Sequence, residues 1–333
     1  MLRAKLLKPG IFKLDECDIP KISEDEILIK VIYAGVCGTD IHSYKGENRF
    51  IKSYPIILGH EFVGKIFSVG RNISRFSVGQ IVTAEPIITC NKCEYCKRGD
   101  YNLCTNLIYM EGAFSEYVVE REQNTFHVPK SIRLENAIFI EPLAVAIHSI
   151  KMAGIKKGLS ILVLGAGTIG QLIIQLARLY GAGYIIVLAR SKLEFAKKNG
   201  ANQTLNIDIY SELSEILKII EKDSIDVVFD CISNSFSISI SLEIIKKGGK
   251  IIIIGLSKSE STIDLLRVMI KELKIFGSSL YRKNFPEAIR MIKNNQIKLD
   301  GFISKVFNFK NINNAFKKII KEQNKNIKCI VKL

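Results

Sequence analysis

Ile161-Leu162-Val163-Leu164-Gly165-Ala166-Gly167-Thr168-Ile169-Gly170 runs four apolar residues into a G-x-G-x-x-G pattern, and a helical stretch at 171–180 follows directly. Such a glycine pattern alone says little. Between a buried strand and a helix it is specific, because the glycines permit a tight turn and let the backbone approach a pyrophosphate at the helix N-terminus. Gly165, Gly167 and Gly170, with Thr168 and Ile169 between them, are therefore the candidate dinucleotide-binding residues. Downstream, apolar runs at 184–188, 203–206, 226–230, 250–254 and 274–276 are separated by helix-length segments. Together with 161–164 they describe a doubly wound parallel sheet. The pair Gly248-Gly249 reads as a helix exit into the fifth strand.

Upstream the texture differs. Short runs at 27–34, 61–69, 80–83 and 114–119, punctuated by glycine and proline, suggest a partly closed β-barrel. After Gly277 the alternation stops, Pro286 opens a helix, and a last strand at 327–333 is expected to return to the first domain. The expected organisation is 1–144, an inserted sheet domain at 145–278, and a return segment at 279–333, with the cleft between the domains as the natural place for chemistry.

The end of the second sheet strand bears on the cofactor. An NAD site offers Asp or Glu to the ribose hydroxyls roughly twenty residues past the fingerprint. Here the sequence reads Leu188-Ala189-Arg190-Ser191-Lys192. Ala189 removes the carboxylate that would repel a 2′-phosphate, Arg190 can grip that phosphate with its planar fork, and Ser191 can donate to it. NADP(H) is expected over NAD(H). The plain alternative is a surface arginine on a lysine-rich protein.

Cys90, Cys93, Cys96 and Cys104 stand in one short loop whose intervening Asn91, Gly99, Asp100 and Asn102 allow the chain to double back. Four thiolates at this spacing suit tetrahedral Zn²⁺. A disulfide framework belongs to small exported domains, and this chain opens MLRAKLLKPG without an apolar export core. An iron–sulfur cluster is the other competitor. Four protein ligands leave no open position, so this site is expected to hold a loop and do no chemistry.

A reacting metal needs a different set. Cys37 and His60, taken singly, are more simply core residues. With a carboxylate from Glu61 or Glu141 they make a mixed site able to keep a position open.

The bulk numbers set the outer bounds. A chain of 333 residues with 47% apolar content is expected to form two domains, and no apolar run reaches membrane-span length. The net charge of +15 comes from lysines scattered among Ile and Asn, without arginine blocks or interleaved aromatics. A solvated basic surface is expected, with no nucleic-acid or membrane partner. Cys17, Cys231 and Cys329 have no close partner in sequence, which with the thiolate cage suggests a reducing, cytoplasmic compartment.

Taken in order, residues 37–42, Gly59-His60-Glu61-Phe62-Val63-Gly64, the four-cysteine loop, Glu141-Pro142-Leu143 and residues 165–170 resemble the zinc-dependent medium-chain alcohol dehydrogenases, above all their polyol, sorbitol-type branch. The resemblance covers essentially the whole chain. It implies a GroES-like β-barrel catalytic domain around an inserted Rossmann domain, two Zn²⁺ per chain, and a homo-oligomer, tetramer or dimer. It also implies that Cys37 and His60 bind the catalytic zinc, with Glu61 a ligand or close neighbour and Glu141 a ligand directly or through water. Thr39 matches the hydroxyl residue beside the metal and His42 the far end of a proton relay. The reaction so implied oxidises a secondary alcohol of a small polyol, diol or sugar alcohol to a ketone, or the reverse, with hydride passing to the nicotinamide.

The likeness thins at the substrate pocket. Ser43 stands where a pocket tyrosine is common, and Leu280 where the sorbitol-type enzymes carry an arginine, although Tyr281 remains. The loop between Cys104 and Gly112 is short. Fewer polar handles argue against long polyols. A threonine-type amino alcohol or a phosphorylated polyol is an alternative substrate. A zinc-free reductase would lack Cys37, His60 and Glu141, and a zinc-stabilised NADPH-sensing protein would bind one zinc.

Overall fold

A computed structural model describes residues 1–110, 112–210, 213–221 and 223–333. The chain forms two units, Met1–Ala144 joined by Arg282–Leu333, and Val145–Tyr281. The second crossing thus falls later than the sequence boundary after residue 278.

In the first unit the long strand Glu26–Val36 is the spine. Glu61–Val69 pairs antiparallel along one edge of it. The other edge is shared: Tyr117–Arg121 pairs with its beginning and Lys328–Lys332 with its end, where Cys329 faces Val36. Ile81–Ala84 and Thr125–His127 extend the sheet beyond Glu61–Val69, and Ile303–Asn308 runs parallel to the last strand. A strand flanked everywhere needs apolar residues on both faces, and Ile27, Leu28, Ile29, Val31, Ala34 and Val36 are all buried. The return segment seals this core. Phe316, on helix Ile312–Lys321, packs against Phe12 and Tyr44 with ring centroids 4.8 and 5.2 Å apart. Asn313 pairs with the backbone of Phe12 through both its amide groups, at 2.9 and 2.7 Å.

One expected strand is displaced. Residues 114–116 precede the strand, which begins at Tyr117. Phe114 is fully buried, and its backbone N–H donates to Leu58 O while its carbonyl accepts from Ala4 N.

The second unit is a six-stranded parallel sheet in the order Gln203–Asn206, Tyr184–Ala189, Ser160–Leu164, Ile225–Asp230, Ile245–Ile253, Lys274–Gly277. The strand order reverses direction at Ser160–Leu164, and the glycine turn leaves the carboxyl end of that strand, where open α/β sheets place ligands. Apolar side chains of the central strands, Leu162, Leu164, Val228 and Ile251 among them, form its core.

The Gly248-Gly249 pair does something other than end a helix. Helix Ser235–Ile244 stops before it, and Lys271 Nζ donates to the carbonyls of Leu242, Glu243 and Ile245 at 2.9–3.0 Å, capping C-terminal oxygens that have no partner within the helix. The glycines lie instead within Ile245–Ile253, where the pairing jumps from Ile225↔Ile245 to Val227↔Lys250. Gly248, at φ 73°, makes the bulge possible.

Among the described residues no helix is long and apolar enough to cross a membrane. Gly170 is where the glycine turn meets its helix, and a Cβ there would run into the carbonyl oxygen of Gly165. Gly170→Ala should therefore cost about 1–3 kcal/mol of stability, measured by urea denaturation; a midpoint equal to wild type would show that the turn tolerates the methyl.

Candidate active site

Cys37 follows the spine strand directly and is the N-cap of helix Gly38–Tyr44. Its backbone N–H donates to Asp40 Oδ2 at 2.8 Å. The other oxygen of Asp40 accepts from Gly59 N at 3.2 Å and lies 3.7 Å from His60 Nδ1. One buried carboxylate thus braces both the cysteine and the histidine. Sequence reading passed over Asp40 because its position between Thr39 and Ile41 looks like an ordinary helix start. Burial raises the Asp40 pKa, opposed chiefly by His60. For His60 burial works against the charged form, but Asp40, Cys37 and Glu141 prevail and hold its pKa well above the usual value.

Ligand atoms of Cys37, His60 and Glu61 lie within 4.8 Å of one another, and Glu141 falls outside that set. Soft sulfur, imidazole nitrogen and carboxylate oxygen at such spacing fit a zinc ion with room for a further ligand. Glu61 is also held from behind. Lys328 Nζ contacts its two oxygens at 2.7 and 2.5 Å and reaches Val36 O at 3.3 Å. Both side chains are at most 3% exposed. A Cβ on Gly35 would collide with the same carboxylate, so the close packing depends on that glycine. Burial lowers the Lys328 pKa, but Glu61 and then Cys37 outweigh it and the net shift is upward. Glu141, in the first turn of helix Ile140–Ala153, is buried, and its pKa is pushed up to about 7 despite the opposing charge of His60.

Thr39 Oγ1 lies 3.7 Å from Cys37 Sγ. His42, on the last turn of the same short helix, bonds through Nδ1 to Glu47 Oε2 at 2.9 Å. Ser43 departs from its expected role in the pocket. It is 1% exposed, donates to Thr39 O at 2.8 Å and accepts from Asn48 at 3.0 Å, so its hydroxyl is spent inside the fold. Leu280 and Tyr281 belong to the other unit, Leu280 at φ 54° and Tyr281 fully buried.

In the second unit Gly165 sits at φ 94°, and Gly167 is the N-cap of helix Thr168–Leu179. A Cβ on Gly167 would meet nothing within 4 Å. No protein contact explains that glycine, whereas a pyrophosphate lying on the helix N-terminus would. Gln171, fully buried, donates to Ala166 O at 3.2 Å and Lys192 O at 3.4 Å, tying the turn to the segment that carries Arg190. Ala189 is buried, and Arg190 Nε stands 3.4 Å from Asp208, an exposed pair. Asp208 escaped the sequence reading because it follows the third strand rather than the second.

The cysteine loop forms the remaining cluster. Cys90–Cys104 and Cys93–Cys96 sulfurs are 3.5 Å apart, and Cys90–Cys96 and Cys93–Cys104 are 4.0 Å apart. Disulfides would bring them to about 2.05 Å, whereas a tetrahedron with zinc–sulfur bonds of about 2.3 Å has edges of about 3.8 Å. The four thiolates thus surround the space of one ion. The loop is fastened to the return segment: Arg282 reaches Asp100 at 2.5 Å and Asn102 at 2.9 Å, and Lys283 N donates to Tyr101 OH at 2.7 Å. Tyr101 in turn donates to Glu85, whose pKa burial pushes up to about 7.

Comparison with known proteins agrees with both halves. Residues 23–130 match the alcohol dehydrogenase GroES-like domain, and residues 168–294 match the zinc-binding dehydrogenase domain. Sorbitol dehydrogenase of Bacillus subtilis strain 168 is 32% identical over 96% of this chain and 93% of its own. A zinc-binding dehydrogenase of Sinorhizobium meliloti 1021, solved bound to NADP, superposes with a TM-score of 0.89 at 28% identity, covering 100% of this chain and 99% of that one. An alcohol dehydrogenase of Escherichia coli CFT073, solved with NADH, gives 0.92 at 29% identity, again over 100% and 99%.

The Lys328–Glu61 pair makes a direct prediction. Lys328→Met leaves a buried carboxylate without its cation and should cost about 3–5 kcal/mol, while adding Glu61→Gln should recover much of that loss. Thermal denaturation of the single and double variants checks it; an unchanged melting temperature for Lys328→Met would remove the pair from the stability argument.

Proposed function

This chain belongs to the zinc-dependent alcohol dehydrogenases, in their polyol branch, and from that premise we propose that it interconverts a short secondary alcohol and its ketone with NADP(H) and two bound zinc ions. The observation that carries the reading is the meeting of Cys37, His60 and Glu61 within 4.8 Å. A zinc ion held there supplies the Lewis acidity that lowers a substrate hydroxyl's pKa, and the nicotinamide accepts hydride. Cys37 and His60 are its ligands, Asp40 fixes their geometry, and Glu61 or Glu141 supplies the carboxylate. Thr39, beside Cys37, takes the hydroxyl proton, which passes toward His42 and solvent. The cysteine loop carries the second, closed zinc.

The NADP(H) preference rests on Arg190. Its bond to Asp208 is exposed and contributes little. Arg190 can therefore exchange that carboxylate for a 2′-phosphate, the stronger bidentate partner. No disulfide joins the cysteines of the described residues, which suits a cytoplasmic setting. A homo-oligomer belongs to the same reading. Helix Leu265–Ile270 presents Leu265, Leu266, Met269 and Ile270 at 60–74% exposure, just before the edge strand Lys274–Gly277. A second copy is the natural cover for such a face, since an isologous contact needs only one sticky surface.

Two measurements test these points. Purified protein should contain about two zinc per chain and reduce NADP⁺ with small diols, polyols, threonine or polyol phosphates; Arg190→Ala should raise KM for NADP⁺ and leave that for NAD⁺ unchanged. A clear NAD⁺ preference in the wild type would sink the cofactor assignment, and metal-free activity would sink the chemistry. Light scattering should give a dimer or tetramer that Leu266→Lys with Met269→Lys dissociates; a wild-type monomer would leave the apolar helix without its proposed partner.

A further inference from the structure

The loop after helix Gly38–Tyr44 is built to place one carboxylate. Three successive backbone N–H groups fold back onto the helix end: Lys45 onto Ile41 O at 3.0 Å, Gly46 onto Ser43 O at 3.1 Å, and Glu47 onto His42 O at 2.8 Å. Gly46 makes this possible at φ 74°, and a Cβ there would sit 2.8 Å from Pro9 Cγ. On the far side Asn48 is pinned by its bond to Ser43 Oγ, and its own Oδ1 accepts from Phe50 N at 3.0 Å. Glu47 thus lies between two anchored residues, and its carboxylate meets His42 Nδ1 at 2.9 Å. Side-chain exposures of 23% for His42 and 31% for Glu47 leave the pair half-buried, with a route to water.

The hydrogen-bond inventory then decides the imidazole's state. An ionised carboxylate only accepts, so a neutral His42 bonded to it must carry its proton on Nδ1, and Nε2 is left with a lone pair. We propose that Glu47 is a positioning residue for His42: it selects the Nδ1–H tautomer, turns Nε2 outward as the proton acceptor, and stabilises the imidazolium once Nε2 is protonated. The proton is gained at Nε2, and it leaves from the same atom to water when the ring returns to neutral. This inference rests on the relay reading of His42, and it adds a residue that three backbone hydrogen bonds of the loop hold in place. The logic is that of any carboxylate behind a histidine base, where loss of the acceptor leaves the wrong tautomer.

The test separates the tautomer from the relay. With four histidines in the chain, ¹⁵N NMR at a pH where the ring is neutral can assign His42. Wild type should show Nδ1–H, Glu47→Ala should shift the population toward Nε2–H, and Glu47→Gln, whose amide oxygen still accepts, should keep Nδ1–H. In turnover, Glu47→Ala should lower kcat about tenfold with KM within about twofold, Glu47→Gln should be milder, and Glu47→Ala should cost nothing further in a His42→Ala background. An Nε2–H signal in the wild type, or an unchanged tautomer in Glu47→Ala, overturns the assignment. So does an additive loss in the double variant, which would mark Glu47 as a general support of the loop. Full activity in His42→Ala would instead refute the relay, while the NMR result would still decide what Glu47 does to the ring.

Discussion

A single buried ion pair, Lys328 with Glu61, holds the metal corner in place. It joins the strand Lys328–Lys332 to the strand that begins at Glu61, across the end of the spine. Charges this deep are tolerated only when each is fully answered, and here both carboxylate oxygens meet the ammonium. The consequence reaches the chemistry. Glu61 is held by a cation on one side while it stands within 4.8 Å of the donor atoms of Cys37 and His60 on the other, with Asp40 as the brace of that pair.

The two candidate metal clusters differ in how their donors are arranged. Around the cysteine loop all four donors have one chemistry and surround one point, and the loop is fastened from outside by Arg282, by the Lys283 N–H and by Glu85, which accepts from Tyr101. Around Cys37 the donors are mixed, and acids crowd the space: Asp40, Glu61 and Glu141 stand against His60 and Lys328. Burial, with the carboxylates of Glu61 and Asp40 adding to it, raises the pKa of Glu141 to about 7. A dication relieves it, which is an electrostatic reason for the site to want one.

Legibility in the sequence followed locality. The glycine turn, the cysteine spacing and the strand Glu61–Val69 could be read because each signal lies within a short window. Sheet strands were found from their apolar runs, and the ends of several moved by one or two residues. What escaped reading depends on distant partners. Lys328 looks like one more lysine in a basic tail, and only the pairing of Cys329 with Val36 turns it inward toward Glu61. Asp208 is unremarkable until the third strand lies beside the second. Gly248-Gly249 was misread because a glycine pair after a helix ordinarily ends it, whereas here Lys271, from a later helix, supplies the cap. The partners of Ser43 were equally hidden: Thr39 O and Asn48 claim its hydroxyl.

The division of the first unit into two stretches of chain also sets an order of events. Val145–Tyr281 is continuous and owns all six of its sheet strands, so it can be finished as soon as it leaves the ribosome. The unit bearing the metal ligands cannot. Its candidate donors Cys37 and His60 come early in the chain, but the cation for Glu61 and the aromatic plug Phe316 come more than 250 residues later, at positions 328 and 316. Along the chain, the six-stranded sheet is therefore complete before the lysine that answers Glu61 is reached.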